Sequence, residues 1–449
     1  MAEASDHVRR TDLSAEKEKC MAKVLPFRAV RPDAKYVKEV ASLPYDVYSR
    51  EEAWQAVQGH PLAFLNIDRP ETQFPENQDM YAPEVYEKAR DMLRQQIGEG
   101  IYRQDPTPCY YVYELTMDGR TQTGIAALSS IDDYLNGVCR KHENTVEEKE
   151  QDRIRHVDTC SAQTGPIFLC YRAKEEIRAI VSETKKGVPV YDFTETDQVR
   201  HRVWVIDRPE KILALETAFA EVPATYIADG HHRAASAVKV GLKRRKEHPD
   251  YSGSEEFNYF LSVLFPDEEL KILDYNRVVK DLHGMQPADF MLSLEEIFEV
   301  FSLQEAISPK VKGEIAMYLS GEWFLLRAKP EVLAARQYSP VAALDVSLLQ
   351  ELVLAPVLGI GDPRTDRRIE FIGGIRGLKE LEKRVSRNTY QHVMDGTIDK
   401  VGPAAAFAMH PTDISELLSV ADKGLLMPPK STWFEPKLRS GIFIHEIEA

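Results

Sequence analysis

The chain is poor in cysteine. Its five (Cys20, Cys109, Cys139, Cys160 and Cys170) are an odd number and form no CxxC pair, which argues against a disulfide framework or a thiolate zinc site and fits a reducing compartment. No run of apolar residues approaches bilayer-spanning length, and the charged segment 1–22 has no apolar h-region of the signal-peptide kind. A cytoplasmic location without a membrane partner is expected. Positive charge is also short: Lys and Arg total 57 against 72 Asp and Glu, for a net charge of -15. Such a field repels phosphate backbones, so no nucleic-acid partner is expected. The one basic run, Lys243-Arg244-Arg245-Lys246, reads as the exposed end of a helix. Missing too are GxxxxGK[ST], GxGxxG and GxSxG, the marks of P-loop, Rossmann and α/β-hydrolase sites.

What remains is an ordinary globular composition, 43% hydrophobic and 29% charged over 449 residues, enough for two or three domains. Strand-like runs at 109–116 and 121–130 flank Asp118-Gly119, a hairpin signal because both central positions tolerate positive φ. Further strands are expected at 165–171, 201–206 and 224–228, with 257–265 and 270–274 as another strand pair. Helices are expected at 81–98, 141–157, 209–220, 231–247, 293–300, 308–313 and 377–386. The alternation implies a mixed α/β or α+β architecture. The expected division is a polar tail at 1–22, a catalytic core at 23–285, a small α+β insertion at 286–340, and a C-terminal region at 341–449 that packs back on the core.

The most informative string is Tyr226-Ile227-Ala228-Asp229-Gly230-His231-His232-Arg233. An apolar strand ends at Asp229, Gly230 turns the corner, and a helix begins. A helix start offers free backbone N–H groups and partial positive charge, which suit an anion. Arg233 adds a fork donor for phosphate, and cations in a first helical turn are themselves unfavourable without an anion to offset them. Asp229 is placed either to cap the helix or to hold magnesium. The competing reading makes Asp229 a plain N-cap and the histidines polar surface. A zinc site ranks last, since His231 and His232 are adjacent and lack a companion cysteine.

Two other clusters carry chemistry. Lys141-His142-Glu143-Asn144-Thr145, followed by Lys149 to Arg153, offers a carboxylate base in Glu143 and phosphate ligands in Lys141, His142 and Arg153; it reads equally as a solvated helix laced with ion pairs. The proline-rich run Met427-Pro428-Pro429-Lys430-Ser431-Thr432-Trp433-Phe434 implies a stiff packed loop that presents Lys430. Asp362-Pro363-Arg364 is a polar turn open to either reading.

With Leu43-Pro44-Tyr45-Asp46-Val47 and Leu273-Asp274-Tyr275-Asn276-Arg277-Val278-Val279, these motifs resemble, in order and from about Lys23 to the C-terminus, a widespread prokaryotic family catalogued as a domain of unknown function. The Asp-Gly-His-His-Arg string is also similar to the signature of free-serine kinases with a ParB/sulfiredoxin-like fold. That resemblance implies a ParB/sulfiredoxin-like mixed-sheet core and phosphoryl transfer from ATP or ADP to L-serine, giving O-phosphoserine. In that scheme Asp229, Gly230, His231, His232 and Arg233 bind phosphates and Mg²⁺, with Asp229 as the metal ligand. Lys141, His142, Arg153 and Lys430 assist, His232 takes part in catalysis, and the catalytic carboxylate is Glu143 first and Asp46 second. Expected partners are the nucleotide and L-serine, with a homodimer left open. The alternative is a nucleotide-binding regulatory protein of ParB-like fold without kinase activity.

Overall fold

The computed structural model describes residues 21–145, 147–392, 398–400 and 404–448. All but the end of the tail expected at 1–22 lies outside them. Ala22 already belongs to the folded part: it is buried and donates its N–H to the Val222 carbonyl at 2.9 Å.

The architecture is mixed α+β, built on two principal sheets. The larger has nine strands among the described residues. Its order runs Cys139–Arg140, Thr225–Asp229, Ile167–Tyr171, Tyr259–Pro266, Arg120–Ser130, Tyr110–Met117, Arg200–Ile206 and Tyr191–Thr194, with Val24–Leu25 added to Arg120–Ser130. The hairpin turns at Asp118 (φ 51°) and Gly119 (φ 76°), the left-handed pair that matches strand twist. Thr225–Asp229 is antiparallel to Ile167–Tyr171 but parallel to Cys139–Arg140, and its register shifts between Ile227 and Asp229, the last residue to pair, opposite Phe168. Its first four residues are buried, as are all five of Ile167–Tyr171. Each fully buried aromatic or aliphatic side chain here contributes roughly 2–3 kcal/mol.

The second sheet orders Phe298–Leu303, Glu322–Ala328, Glu314–Leu319, Ala405–Met409, Tyr275–Val279 and Ile369–Gly373. Three of its strands fall in 286–340, one precedes that segment and two follow it, so the segment shares one sheet with its neighbours. A continuous apolar core joins the two sheets, from Tyr226 and Phe265 to Val279, Ile315 and Phe407. The chain end returns to the larger sheet's flank, where His445–Glu446 pairs with Ala162–Gln163.

Three local expectations are corrected. The helix expected at 141–157 runs over Glu147–Cys160, and Lys141–Thr145 is a loop; the acidic cluster Glu147, Glu148 and Glu150 marks the true start, where the helix dipole favours it. The segment 293–300 contains the end of helix Pro287–Glu295 and the start of strand Phe298–Leu303, and 308–313 is not helical. Ile272–Leu273 pairs not with the preceding strand but with Trp433–Phe434, far along the chain.

Candidate active site

The corner after Ala228 has the form its sequence implies. Gly230 is left-handed (φ 94°, ψ 33°) and stands at the head of helix His231–Glu247. The left-handed backbone calls for glycine, and a Cβ there would also crowd Arg233, lying 3.1 Å from its Cζ. The first bond of the helical ladder is Ala234 N–H to the Gly230 carbonyl at 2.9 Å, which leaves the preceding N–H groups outside it.

Asp229 does not cap the helix. Its Oδ2 accepts from Lys437 Nζ at 3.2 Å and lies 3.5 Å from Arg233 Nη2. Burial acts to raise the Asp229 carboxyl, but Lys437 and then Arg233 outweigh it and hold it well below the usual carboxylate range. Arg233 donates to the Pro166 carbonyl at 2.5 Å, while its Nε is buried without a partner. Burial would lower its pKa, but the charges of Asp46 and Asp229 raise it.

The other motifs converge on this corner. Asp46, on the short helical turn Tyr45–Val47, is exposed, and its charge acts on Arg233, His232 and Lys430. Glu143 is pushed up by burial and pulled back by Lys430. Lys430 is solvent-accessible yet hemmed in, with Nζ 5.8 Å from the centre of the Tyr275 ring; burial lowers its pKa, and Tyr275, Glu143 and Asp46 more than compensate. His232 is lowered by burial and by Lys149 and Lys430. The Lys430 loop is pinned from both sides: Met427 N–H donates to the His142 carbonyl at 2.8 Å, and Arg277 Nη2 donates to the Lys430 carbonyl at 3.1 Å. Glu143 also lines an open cleft of about 420 Å³ with Asp362, Arg364, Met427 and Pro429, so the Asp362-Pro363-Arg364 turn belongs to the same neighbourhood.

His142 and His231 form the buried heart of the site. Their rings meet edge to face at 4.5 Å and 88°, at 1% and 8% exposure. Burial pushes His142 down to about 4 and carries His231 well below the ordinary histidine value, His142 adding to the effect on His231. Both rings are therefore neutral at pH 7.

Two expected phosphate ligands stand differently. Arg153 is buried, donates to the Asp68 carbonyl at 3.2 Å, pairs with Asp152 and stacks 4.0 Å over the Tyr45 ring. It props the Tyr45–Asp46 turn and shares a cavity of about 30 Å³ with Arg233. Lys141 is exposed, 5.9 Å from the centre of the Tyr134 ring. Its charge still acts on His231.

The model of a family described as a protein of unknown function (DUF1015) matches residues 24–347. The chain belongs to that family. No curated protein matches it significantly. Among solved structures it is similar to a conserved hypothetical protein from Pyrococcus furiosus, at 16% identity over 71% of this chain and 94% of that one, with a TM-score of 0.32. It is also similar to a free serine kinase in complex with AMP, at 16% identity, 69% and 86% coverage, and a TM-score of 0.32. A third is a C-terminally truncated SbnI from Staphylococcus aureus, at 12% identity, 69% and 82% coverage, and a TM-score of 0.35. Likenesses this remote do not say what this DUF1015 chain binds.

Sequence reasoning missed Lys437 as a site residue. It lies 208 positions from Asp229, and no local spacing signals the pairing. It also ranked a zinc site last because His231 and His232 are adjacent in sequence; in the fold the ring that His231 meets is that of His142.

Proposed function

We propose that this protein is a nucleotide-dependent phosphotransferase acting on the hydroxyl of a small molecule, with L-serine as acceptor and ATP or ADP as donor. The observation that carries this reading is the gathering of Arg233, Lys430 and an open helix start around two carboxylates, Glu143 and Asp46. Glu143 also borders a cleft of ligand size. Phosphoryl transfer requires positioning and charge neutralisation more than covalent chemistry. The residues supply both.

In this scheme Arg233, Lys430 and the helix start hold the phosphoryl oxygens. Glu143 or Asp46 orients the acceptor hydroxyl and takes its proton as the new O–P bond forms and the bond to the departing nucleotide breaks. His232, between Lys430 and Asp46 in charge environment, lies beside the transferring group. Lys141 contributes long-range positive charge. Magnesium enters with the nucleotide as substrate. Asp229 fits poorly as its resident ligand, because Lys437 and Arg233 already neutralise that carboxylate, and no step is routed through an ion there.

The test is to incubate purified protein with Mg-ATP or Mg-ADP and a panel of amino acids and hydroxy compounds, following nucleotide product and phosphorylated acceptor. Serine-dependent turnover with O-phosphoserine formed is the expected result. Tight nucleotide binding with no turnover on any acceptor would replace the enzyme by a nucleotide-responsive regulator.

A further inference from the structure

The buried pair His142 and His231 is costly unless something binds it. His231 Nε2 is buried with no hydrogen-bond partner, and His142, whose ring lies near the Ile227 backbone, has no partner of good geometry at its buried Nδ1; leaving such groups unsatisfied is unfavourable. A purely packing role would be filled better by apolar rings, or would leave those nitrogens satisfied. Beside them stands the Glu143 carboxylate, and one ligand atom from each of the three side chains lies within 4.8 Å of the others.

We propose that His142, Glu143 and His231 bind a divalent transition-metal ion. Ligand atoms around such an ion at about 2.1 Å sit roughly 3–3.5 Å apart, so closure on the ion needs side-chain rotations of only about 1 Å. Two imidazole nitrogens and one carboxylate suit Zn²⁺, Mn²⁺ or Fe²⁺; Mg²⁺ prefers an all-oxygen shell. Supporting contacts that orient the first ligands are present. The His142 Nε2 and the Thr432 hydroxyl are 3.4 Å apart, and the His142 backbone carbonyl is held by Met427 N–H. His231 is fixed by its place in the first turn of a 17-residue helix. Such second contacts set ring orientation in protein metal sites.

Three protein ligands leave coordination positions open, and Glu143 faces the cleft of about 420 Å³. The ion is therefore reachable from the cleft that the proposed phosphotransferase would use. With Glu143 engaged on the ion, Asp46 is the carboxylate left to take an acceptor's proton. This last step rests on the phosphotransferase reading; the metal site itself does not.

The test uses untagged full-length protein, stripped with a chelator, dialysed, and free of nucleotide. Titration with Zn²⁺ and with Co²⁺ should give one tightly held ion per chain by elemental analysis, with visible Co²⁺ absorption bands from nitrogen and oxygen ligands. Mg²⁺ at the same concentration should neither bind nor compete. Glu143→Gln and His231→Ala should each weaken Zn²⁺ binding by on the order of 100-fold. Absence of stoichiometric binding to the unsubstituted protein overturns the proposal without reference to any variant's folding. So does undiminished binding in Glu143→Gln, or equal competition by Mg²⁺. Metal binding without phosphoryl transfer would leave the site standing and remove only the phosphotransferase reading.

Discussion

Lys437 Nζ reaches Asp229 Oδ2 at 3.2 Å across 208 residues of chain. This contact ties the Pro-rich C-terminal loop to the strand end from which the Gly230 corner departs, and it helps hold Asp229 ionised.

Removing either partner leaves a mostly buried charge poorly compensated. Lys437→Met or Asp229→Asn should each cost about 2–3 kcal/mol, and the double substitution should cost clearly less than their sum. Urea denaturation of the four proteins measures this. Additive losses would show that the pair does not act as a unit.

Gly230→Ala forces a side chain into a left-handed position and against Arg233 Cζ at 3.1 Å. A loss of about 1–3 kcal/mol is expected, with weaker nucleotide binding because Arg233 is displaced. Equilibrium denaturation and nucleotide titration read the two effects separately.

Arg233→Lys keeps a cation beside Asp229 but loses the fork that bonds the Pro166 carbonyl at 2.5 Å. Catalytic efficiency should fall on the order of 100-fold while the melting temperature changes little. Unchanged kinetics would remove Arg233 from the phosphate site.

Asp46 and Glu143 separate by what each substitution removes. Asp46→Asn should lower kcat by about 100-fold or more with metal content unchanged. Glu143→Gln should lose both turnover and the bound ion. A full-speed Asp46→Asn enzyme would return the proton-accepting role to Glu143.

Asp345 lies in the second sheet's region, where burial pushes its carboxyl up to about 6 although both oxygens accept from Gly313 N–H at 3.0 and 3.1 Å. An acid whose folded pKa is raised holds its proton more tightly when folded. Its contribution is therefore favourable below the ordinary 3.8 and is lost as pH rises through about 6, a change of about 2–3 kcal/mol. Asp345→Asn should flatten the stability profile between those pH values, as read by urea titrations. An unchanged profile would mean that Asp345 is not the titrating group.

The elements were legible where local chemistry decides them. Asp118-Gly119 dictates a hairpin, and Ala228-Asp229-Gly230 dictates a strand, a left-handed corner and a helix, because positive φ and hydrophobic period are properties of neighbouring residues. They were illegible where a partner from elsewhere decides. Residues 141–145 read as helix, yet they form a loop whose His142 faces His231 and whose backbone is held by Met427. Ile272–Leu273 found its strand partner at Trp433–Phe434.

By itself, then, the sequence determined a mixed α+β chain with a strand-to-helix corner at Gly230 and a set of motifs rich in cations and carboxylates. Only tertiary structure decided that Asp229 is spent on Lys437, that Arg153 props a turn, and that two distant histidines and Glu143 face one another. The reason is physical: backbone preference acts over a few residues, whereas charge pairing, burial and ligand geometry depend on distances in space that sequence spacing does not encode.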